Sequence, residues 1–220
     1  MKRILLGLVA AALLPAAASA QTPPAPATLP RADTHMVFGW QNLRKEQPEQ
    51  HYNDWLNGIF YGGAGAGWYW NEHLKTQVDV GVGTKANQYR TRQIPVGNNF
   101  AYGSSVLEVR QWAVTIGQQY QFFENQWFHP HVGAGVELAG ETTKEEFQPV
   151  ILYSSSPPLP REIQPARTEG PRHDFVARGM GEVGFKAYMT RRAFFTGDMR
   201  LMFRNGIEQV LFRAGFGVDF

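Results

Sequence analysis

The last twelve residues of the chain alternate between two kinds of side chain. Apolar residues occupy every second position, and the positions between them carry mainly polar residues or glycine. The first set is Val210, Phe212, Ala214, Phe216, Val218 and Phe220, and the second is Gln209, Leu211, Arg213, Gly215, Gly217 and Asp219. A two-residue period scatters apolar residues around a helix but puts them all on one face of a strand. The segment is therefore predicted to be a β-strand with two different faces.

Seven further segments show the same period, which predicts eight strands in all. They are residues 34–41, 59–70, 74–84, 106–122, 128–141, 174–189 and 195–204. Short turns are predicted at 71–73, 124–126 and 190–192, with a tight hairpin at Asn205-Gly206, and long connections at about 42–58, 85–105 and 142–173. We expect the third long connection, which is rich in proline, to be extended and mobile. An even number of strands with mostly alternating short and long connections is the layout of outer-membrane barrels.

The N-terminus has the order of an export signal. Lys2 and Arg3 precede an apolar run that ends at Ala18, and Ala18-Ser19-Ala20 fits a cleavage site between small residues. The run is too short to span a bilayer as a helix, and a buried helix would not need this order. The predicted organisation is a signal peptide at 1–20, a Pro-rich tether at 21–32 and a β-barrel at 33–220.

Composition excludes several classes of function. The chain has 21 Lys and Arg against 19 Asp and Glu, and without Lys2 and Arg3 the two counts are equal. A neutral chain has no basic surface with which to displace the counterions of nucleic acids, so no nucleic-acid partner is expected. The absence of cysteine excludes disulfides, thiolate metal sites and cysteine nucleophiles.

Two kinds of barrel fit the alternation. A soluble barrel has its apolar face inside, whereas a membrane barrel turns that face to lipid and fills its lumen with polar groups. The polar face here combines many glycines with charges of both signs, as a narrow closed interior requires. These charges are Glu137, Arg178, Glu182, Lys186, Asp198, Arg200 and Arg213. Aromatic residues gather near the short turns, as an interfacial girdle should: Trp68, Trp70, Phe122, Phe128 and Phe195. The fold predicted is an all-β, eight-stranded antiparallel transmembrane barrel.

Counting back from the turns predicts how the inward charges pair. The turn at 190–192 sets Glu182 opposite Arg200, and the Asn205-Gly206 hairpin sets Asp198 near Arg213. Glu137 falls level with Arg178 or Glu182, so opposite charges are expected to alternate around one height of the lumen. A lumen of eight strands has room for side chains only, which favours a charge-paired plug. The alternative is a narrow channel for small solutes, including hydrophobic ones. Passage of hydrophobic solutes would need an apolar lumen near the outer end, for which Leu107, Val109 and Val176 give only weak support.

Neither a metal nor a catalytic site is expected. His129 and His131 face inward, but no suitable third ligand accompanies them, so they are interpreted as lumen histidines. The serines at 154–156, with His51 and His173 nearby, are the candidates for a nucleophile and its base. No strand carries a histidine paired with a serine, so no catalytic residue or cofactor is assigned.

The sequence resembles small outer-membrane barrel proteins of the OmpA, OmpX and OmpW type. The leader, the eight amphipathic strands and the C-terminal Val218-Asp219-Phe220 carry the resemblance. It implies that the barrel-assembly machinery recognises Phe216, Val218 and Phe220, and that outer-membrane lipid and lipopolysaccharide surround the barrel. Because the sequence ends with the last predicted strand, we expect no separate peptidoglycan-binding domain of the OmpA kind. Some members of the family modify lipid A with a histidine and a serine or carboxylate near the outer rim, and the serines at 154–156 with His51 and His173 are the residues that would correspond. The long connections contain aromatic residues that we expect to be exposed: Tyr52, Trp55, Tyr89, Phe100, Tyr102 and Tyr153. Such residues suit a structural, adhesive or other surface role with an extracellular ligand.

Overall fold

A computed structural model describes residues 31–46, 54–96, 99–122, 127–152 and 161–220 of the chain. Within these residues ten strands form. They are β1 (Ala32–Arg44), β2 (Trp55–Tyr69), β3 (Leu74–Val96), β4 (Asn99–Gln121), β5 (Phe128–Phe147), β6 (Val150–Leu152), β7 (Arg161–Gln164), β8 (Arg167–Tyr188), β9 (Ala193–Phe203) and β10 (Ile207–Asp219). In this part of the chain there is no helix long and apolar enough to cross a bilayer. The predicted signal peptide lies outside the described residues.

Eight of the strands close into one antiparallel barrel in the order β1-β10-β9-β8-β5-β4-β3-β2. Strands β6 and β7 form a separate two-stranded ladder. Barrel strands that follow one another along the chain are paired. Two pairings join strands that are not consecutive: β5 with β8, which bypasses this ladder, and β1 with β10, which closes the ring. The eight-stranded antiparallel fold predicted from the alternation is thereby confirmed.

The two faces of the wall differ as the sequence predicts. Apolar side chains such as Met36, Trp40 and Phe216 are exposed on the outside, whereas the polar residues between them are buried in the lumen. Two apolar clusters also fill the lumen. One contains Val37, Tyr61, Met202 and Leu211, and the other, toward the long connections, contains Leu43, Leu56, Ile59, Leu107 and Val109. The apolar lining near that end is therefore more extensive than the three residues singled out from the sequence.

Glycines bring the first and last strands unusually close together. A Cβ atom built on Gly215 in β10 would lie 2.0 Å from the carbonyl oxygen of Met36 in β1, and one on Gly39 would lie 2.0 Å from that of Phe212. These are backbone clashes that side-chain rotation cannot relieve. The seam of the barrel therefore depends on the lack of a side chain at these positions.

The predictions of long connections at 85–105 and 142–173 are wrong, because most of their described residues form paired strands. Pairing between β2 and β3 ends at Tyr61 and Gly83, whereas β3 and β4 stay paired out to Val96 and Asn99. Strands β5 and β8 likewise continue to Phe147 and Arg167. The first connection is shortened as well, because β1 runs to Arg44 and β2 begins at Trp55.

These extensions form what we call the projecting sheet, made of residues 85–96, 99–109, 142–147 and 167–174. Alternation between apolar and polar residues fails there because polar residues occupy both faces of strands that extend beyond the lipid-facing band. The β6–β7 ladder packs against its tip through Val150, which contacts Ile94 and Ala101. The third connection was expected to be extended and mobile. Most of its described residues form extended, paired strands, and its mobility stays a prediction.

Candidate functional site

The centre of the lumen holds a cluster of buried charges around Arg200. Its guanidinium lies 2.6 Å from Asp79 Oδ2 and 2.5 Å from Glu182 Oε2. Arg213 makes a bidentate pair with Asp198, at 2.8 and 2.9 Å. The registers place Glu182 opposite Arg200 and Asp198 opposite Arg213, as the turn counts predict. Two-pronged guanidinium–carboxylate contacts of this kind fix side chains in both position and orientation.

A second cluster lies further toward the projecting sheet and centres on Arg178. This residue is opposite Glu137, and its Nη1 lies 3.0 Å from Glu137 Oε1. It also donates a hydrogen bond to Glu141, and its Nε lies 3.0 Å from Glu208 Oε2. Lys45 forms a salt bridge with Glu141 on the side of the lumen mouth. Arg178 therefore connects three carboxylates from two sides of the lumen.

A third cluster closes the opposite end, around Lys186. Its Nζ atom lies 2.5 Å from Asp219 Oδ1 and 3.4 Å from Asp33 Oδ2, and it sits 3.8 Å from the ring centre of Phe194. Lys75 adds a second cation at 3.1 Å from Asp33 Oδ2. Because Asp33 and Asp219 face each other across the seam of β1 and β10, these lysines neutralise two carboxylates that would otherwise repel.

The inward histidines join the charge network. His131 Nε2 is 3.0 Å from Glu182 Oε1, and His35 Nε2 is 2.6 Å from Asp79 Oδ1. His129 is less buried, and its ring packs against Tyr188. Among the described residues no group of three potential ligands could hold a metal ion. His131 is buried in the lumen and is held by a carboxylate.

The sequence predicts that the inward charges lie at one height of the lumen, whereas the structure distributes them over three stacked clusters. Four acidic residues that were not predicted as members of the charge network are buried in the lumen as deeply as the predicted charges: Asp33, Asp79, Glu141 and Asp219. These four residues occupy positions that alternate in step with the inward-facing residues of their strands, and this placement indicates burial. No count from a turn could indicate their partners, because several of these contacts cross the lumen. Together the clusters fill the interior with paired charges, and a cavity beside His35 and His131 has room for about one water molecule.

The aromatic residues predicted as a girdle lie on the outer wall near the short turns. Trp68, Trp70, Phe122 and Phe128 are exposed there, and Phe195 is partly covered, with its ring 5.4 Å from that of Phe216. The structure adds a second aromatic level that the sequence reasoning missed, made of Trp40, Phe60, Trp112 and Phe175. The stretch that separates the two levels, from Trp112 in β4 to Phe122 just after it, rises about 25 Å at ~3.3 Å per residue and a tilt of ~40°. This height matches the apolar band of an outer-membrane barrel.

The residues of the predicted assembly signal lie on the outer wall, and the described enzyme candidate lies in the projecting sheet. Phe216, Val218 and Phe220 point outward, with Phe220 exposed at the end of β10. Of the candidates for an enzyme, His173 hydrogen-bonds through Nδ1 with Thr142 Oγ1 at 3.0 Å. The serines at 154–156 and His51 lie outside the described residues.

Comparison with known proteins agrees with this geometry. The model of the outer membrane protein beta-barrel domain family matches residues 6–220. The fold is similar to that of neisserial surface protein A, with a TM-score of 0.53 and 11% identity over 86% of this chain and 97% of that chain. The N-terminal β-barrel domain of Pseudomonas aeruginosa OprF aligns over 87% of this chain and 98% of its own, with a TM-score of 0.48 and 12% identity. No curated protein matches this sequence.

Proposed function

This chain belongs to the outer membrane protein beta-barrel domain family, and on that premise we propose that it is a closed barrel that anchors a surface-interaction sheet. The observation that carries the proposal is the buried charge network, in which Arg200 bridges Asp79 and Glu182 across the lumen. A solute on the barrel axis would have to break these buried ion pairs, and breaking a buried pair is costly. We assign no catalytic role.

The projecting sheet supports the surface role. Tyr89, Phe100 and Tyr102 point away from the lumen side and are 80%, 64% and 66% exposed. Exposed aromatics on a rigid sheet supply contact area with little entropy loss on binding. The sheet lies at the end of the barrel opposite the short turns, and in outer-membrane barrels that end faces the outside of the cell.

Replacement of these aromatics tests the surface role. We expect cells that carry Tyr89→Ser, Phe100→Ser and Tyr102→Ser together to lose retention on collagen-coated and polystyrene surfaces. The matched control is Gln93→Ser with Thr91→Ser and Ser104→Ala, which alters the same sheet without removing aromatic area. Both variants should keep heat-modifiable gel mobility, which reports a folded barrel. Equal retention of the two variants and the wild type would contradict the proposal.

A second candidate function is passage of small apolar solutes, and the apolar cluster near the lumen mouth favours it. Leu43, Leu56, Ile59, Leu107 and Val109 would offer such a solute a matching surface. The Arg178 cluster would still obstruct its route along the axis. Uptake of indole into proteoliposomes distinguishes the candidates: a closed barrel gives the rate of protein-free liposomes, and a faster rate that falls in Ile59→Lys indicates a route.

A further inference from the structure

Cationic side chains gather on the outer wall where β3 and β4 leave the lipid-facing band. Lys85 pairs with Glu108, and Arg110 Nε lies 3.2 Å from the same carboxylate. The side chains of Lys85 and Arg110 are 47% and 64% exposed, whereas that of Glu108 is 22% exposed. The two cations therefore extend further outward than the carboxylate between them. We call this group, with Lys144 of the next strand, the rim patch.

The register brings Lys144 into the same patch. Glu108 pairs with Lys144 between β4 and β5, so their side chains share the outward face. Lys144 also contacts Glu146 at 2.6 Å, which leaves the patch with one more cation than its carboxylates. The hydrogen bond from Lys85 lowers the pKa of Glu108, and that from Lys144 to Glu146 raises the pKa of Lys144. These groups consequently stay ionised around neutral pH.

An aromatic platform lies directly below the rim patch. Trp112 is two positions from Arg110 on the same face of β4, and its indole packs over Gly140 of β5. Phe175 of β8 completes the platform, with its ring centre 6.5 Å from that of Trp112. Both rings are about half exposed or more. Tryptophan in this position marks the level of the lipid headgroups, with acyl chains below it.

From this arrangement we propose that Lys85, Arg110 and Lys144, above Trp112 and Phe175, bind the phosphate of an anionic lipid of the surrounding leaflet. The acyl chains would lie on the aromatic platform while the phosphate accepts hydrogen bonds from the guanidinium and the ammonium groups. Arginine suits this role because its planar fork matches two phosphate oxygens. A lipid satisfies both halves of the site at once, whereas a free phosphate would use only the cations. The inference goes beyond the proposed function and does not depend on whether the lumen is closed.

Native mass spectrometry of the full-length protein in an uncharged detergent tests the site. Lipid A, which carries two phosphates, is titrated into the wild type and into Lys85→Gln/Arg110→Gln. We expect affinity to fall about tenfold or more in the double variant, since each cation near a charged lipid surface contributes separately. The matched control is Arg191→Gln/Arg192→Gln, which removes two exposed cations at the opposite end of the barrel, and it should bind as the wild type does.

Further measurements distinguish a lipid phosphate from free phosphate and control for misfolding of the variants. Inorganic phosphate in millimolar excess should not displace lipid A, and dephosphorylated lipid A should bind weakly and equally to all variants. Glu108→Gln removes the competing carboxylate while keeping its shape, so it should bind lipid A more tightly. Equal affinity of the double variant and the control would overturn the proposal, as would displacement by inorganic phosphate or weaker binding by Glu108→Gln.

Discussion

Arg200 and Asp79 are 121 positions apart in the sequence, yet the guanidinium Nη2 donates to the carboxylate Oδ2 over 2.6 Å. Their strands, β9 and β3, stand opposite each other in the ring of eight. The contact therefore passes through the axis of the barrel and joins its two walls. A single arginine side chain thus crosses the lumen and links its opposite walls.

Loss of this arginine should destabilise the barrel. Arg200→Ala leaves Asp79 and Glu182 buried without their main counter-charge, which costs on the order of 3–5 kcal/mol. Lys144→Ala removes an exposed cation from the projecting sheet and should leave stability close to that of the wild type. Urea unfolding in lipid vesicles compares the two midpoints. Equal midpoints would refute a stabilising network in the lumen.

The contact across the lumen should also appear as energetic coupling. In a double-mutant cycle of Arg200→Gln and Asp79→Asn, we expect an interaction free energy of about 1–3 kcal/mol, because the two groups share one buried contact. The control cycle uses Arg167→Gln and Glu169→Gln, an exposed pair at 3.0 Å in the projecting sheet, which should show little coupling. Additive effects of the two lumen substitutions would argue against a direct contact.

The seam between the first and last strands should not tolerate a methyl group. Gly215→Ala places a Cβ atom against the Met36 carbonyl oxygen, and overpacking of this kind costs roughly 1–3 kcal/mol. Gly62→Ala is the control, since its nearest neighbour would be Phe38 Cδ1 at 3.9 Å. Heat-modifiable mobility against temperature measures both. If Gly215→Ala unfolds at the same temperature as Gly62→Ala, the close approach of the strands is not a constraint.

The proposed assembly signal predicts a kinetic defect. Deletion of Phe220 should lower the yield of folded barrel in the outer membrane, because the assembly machinery would lose the terminal aromatic that follows Phe216 and Val218. Phe220→Tyr keeps an aromatic ring and serves as the control. Pulse-chase labelling with heat-modifiable mobility follows folding in cells. Unchanged insertion of the deletion variant would remove these residues from any role in recognition.

The sequence predicts the barrel wall well because lipid and lumen impose opposite demands on alternate residues. Local counts from turns also predict the Glu182–Arg200 and Asp198–Arg213 neighbours, which lie on adjacent strands. Contacts such as Arg200–Asp79 depend on how the closed ring brings opposite walls together, and no local pattern records that closure. The projecting sheet was missed for a different reason: Tyr89, Arg90 and Arg92 lie beyond the lipid-facing band, where the apolar contrast between the two faces of a strand disappears.

Current through a planar lipid bilayer tests the closed lumen most directly. Purified wild-type protein should insert without producing stable ionic conductance steps, because paired charges occupy the axis from the Arg178 cluster to Lys186. Arg200→Ala, once folded, should show brief openings, since the brace between opposite walls is gone. Long-lived, regular conductance steps from the wild-type barrel would contradict the account.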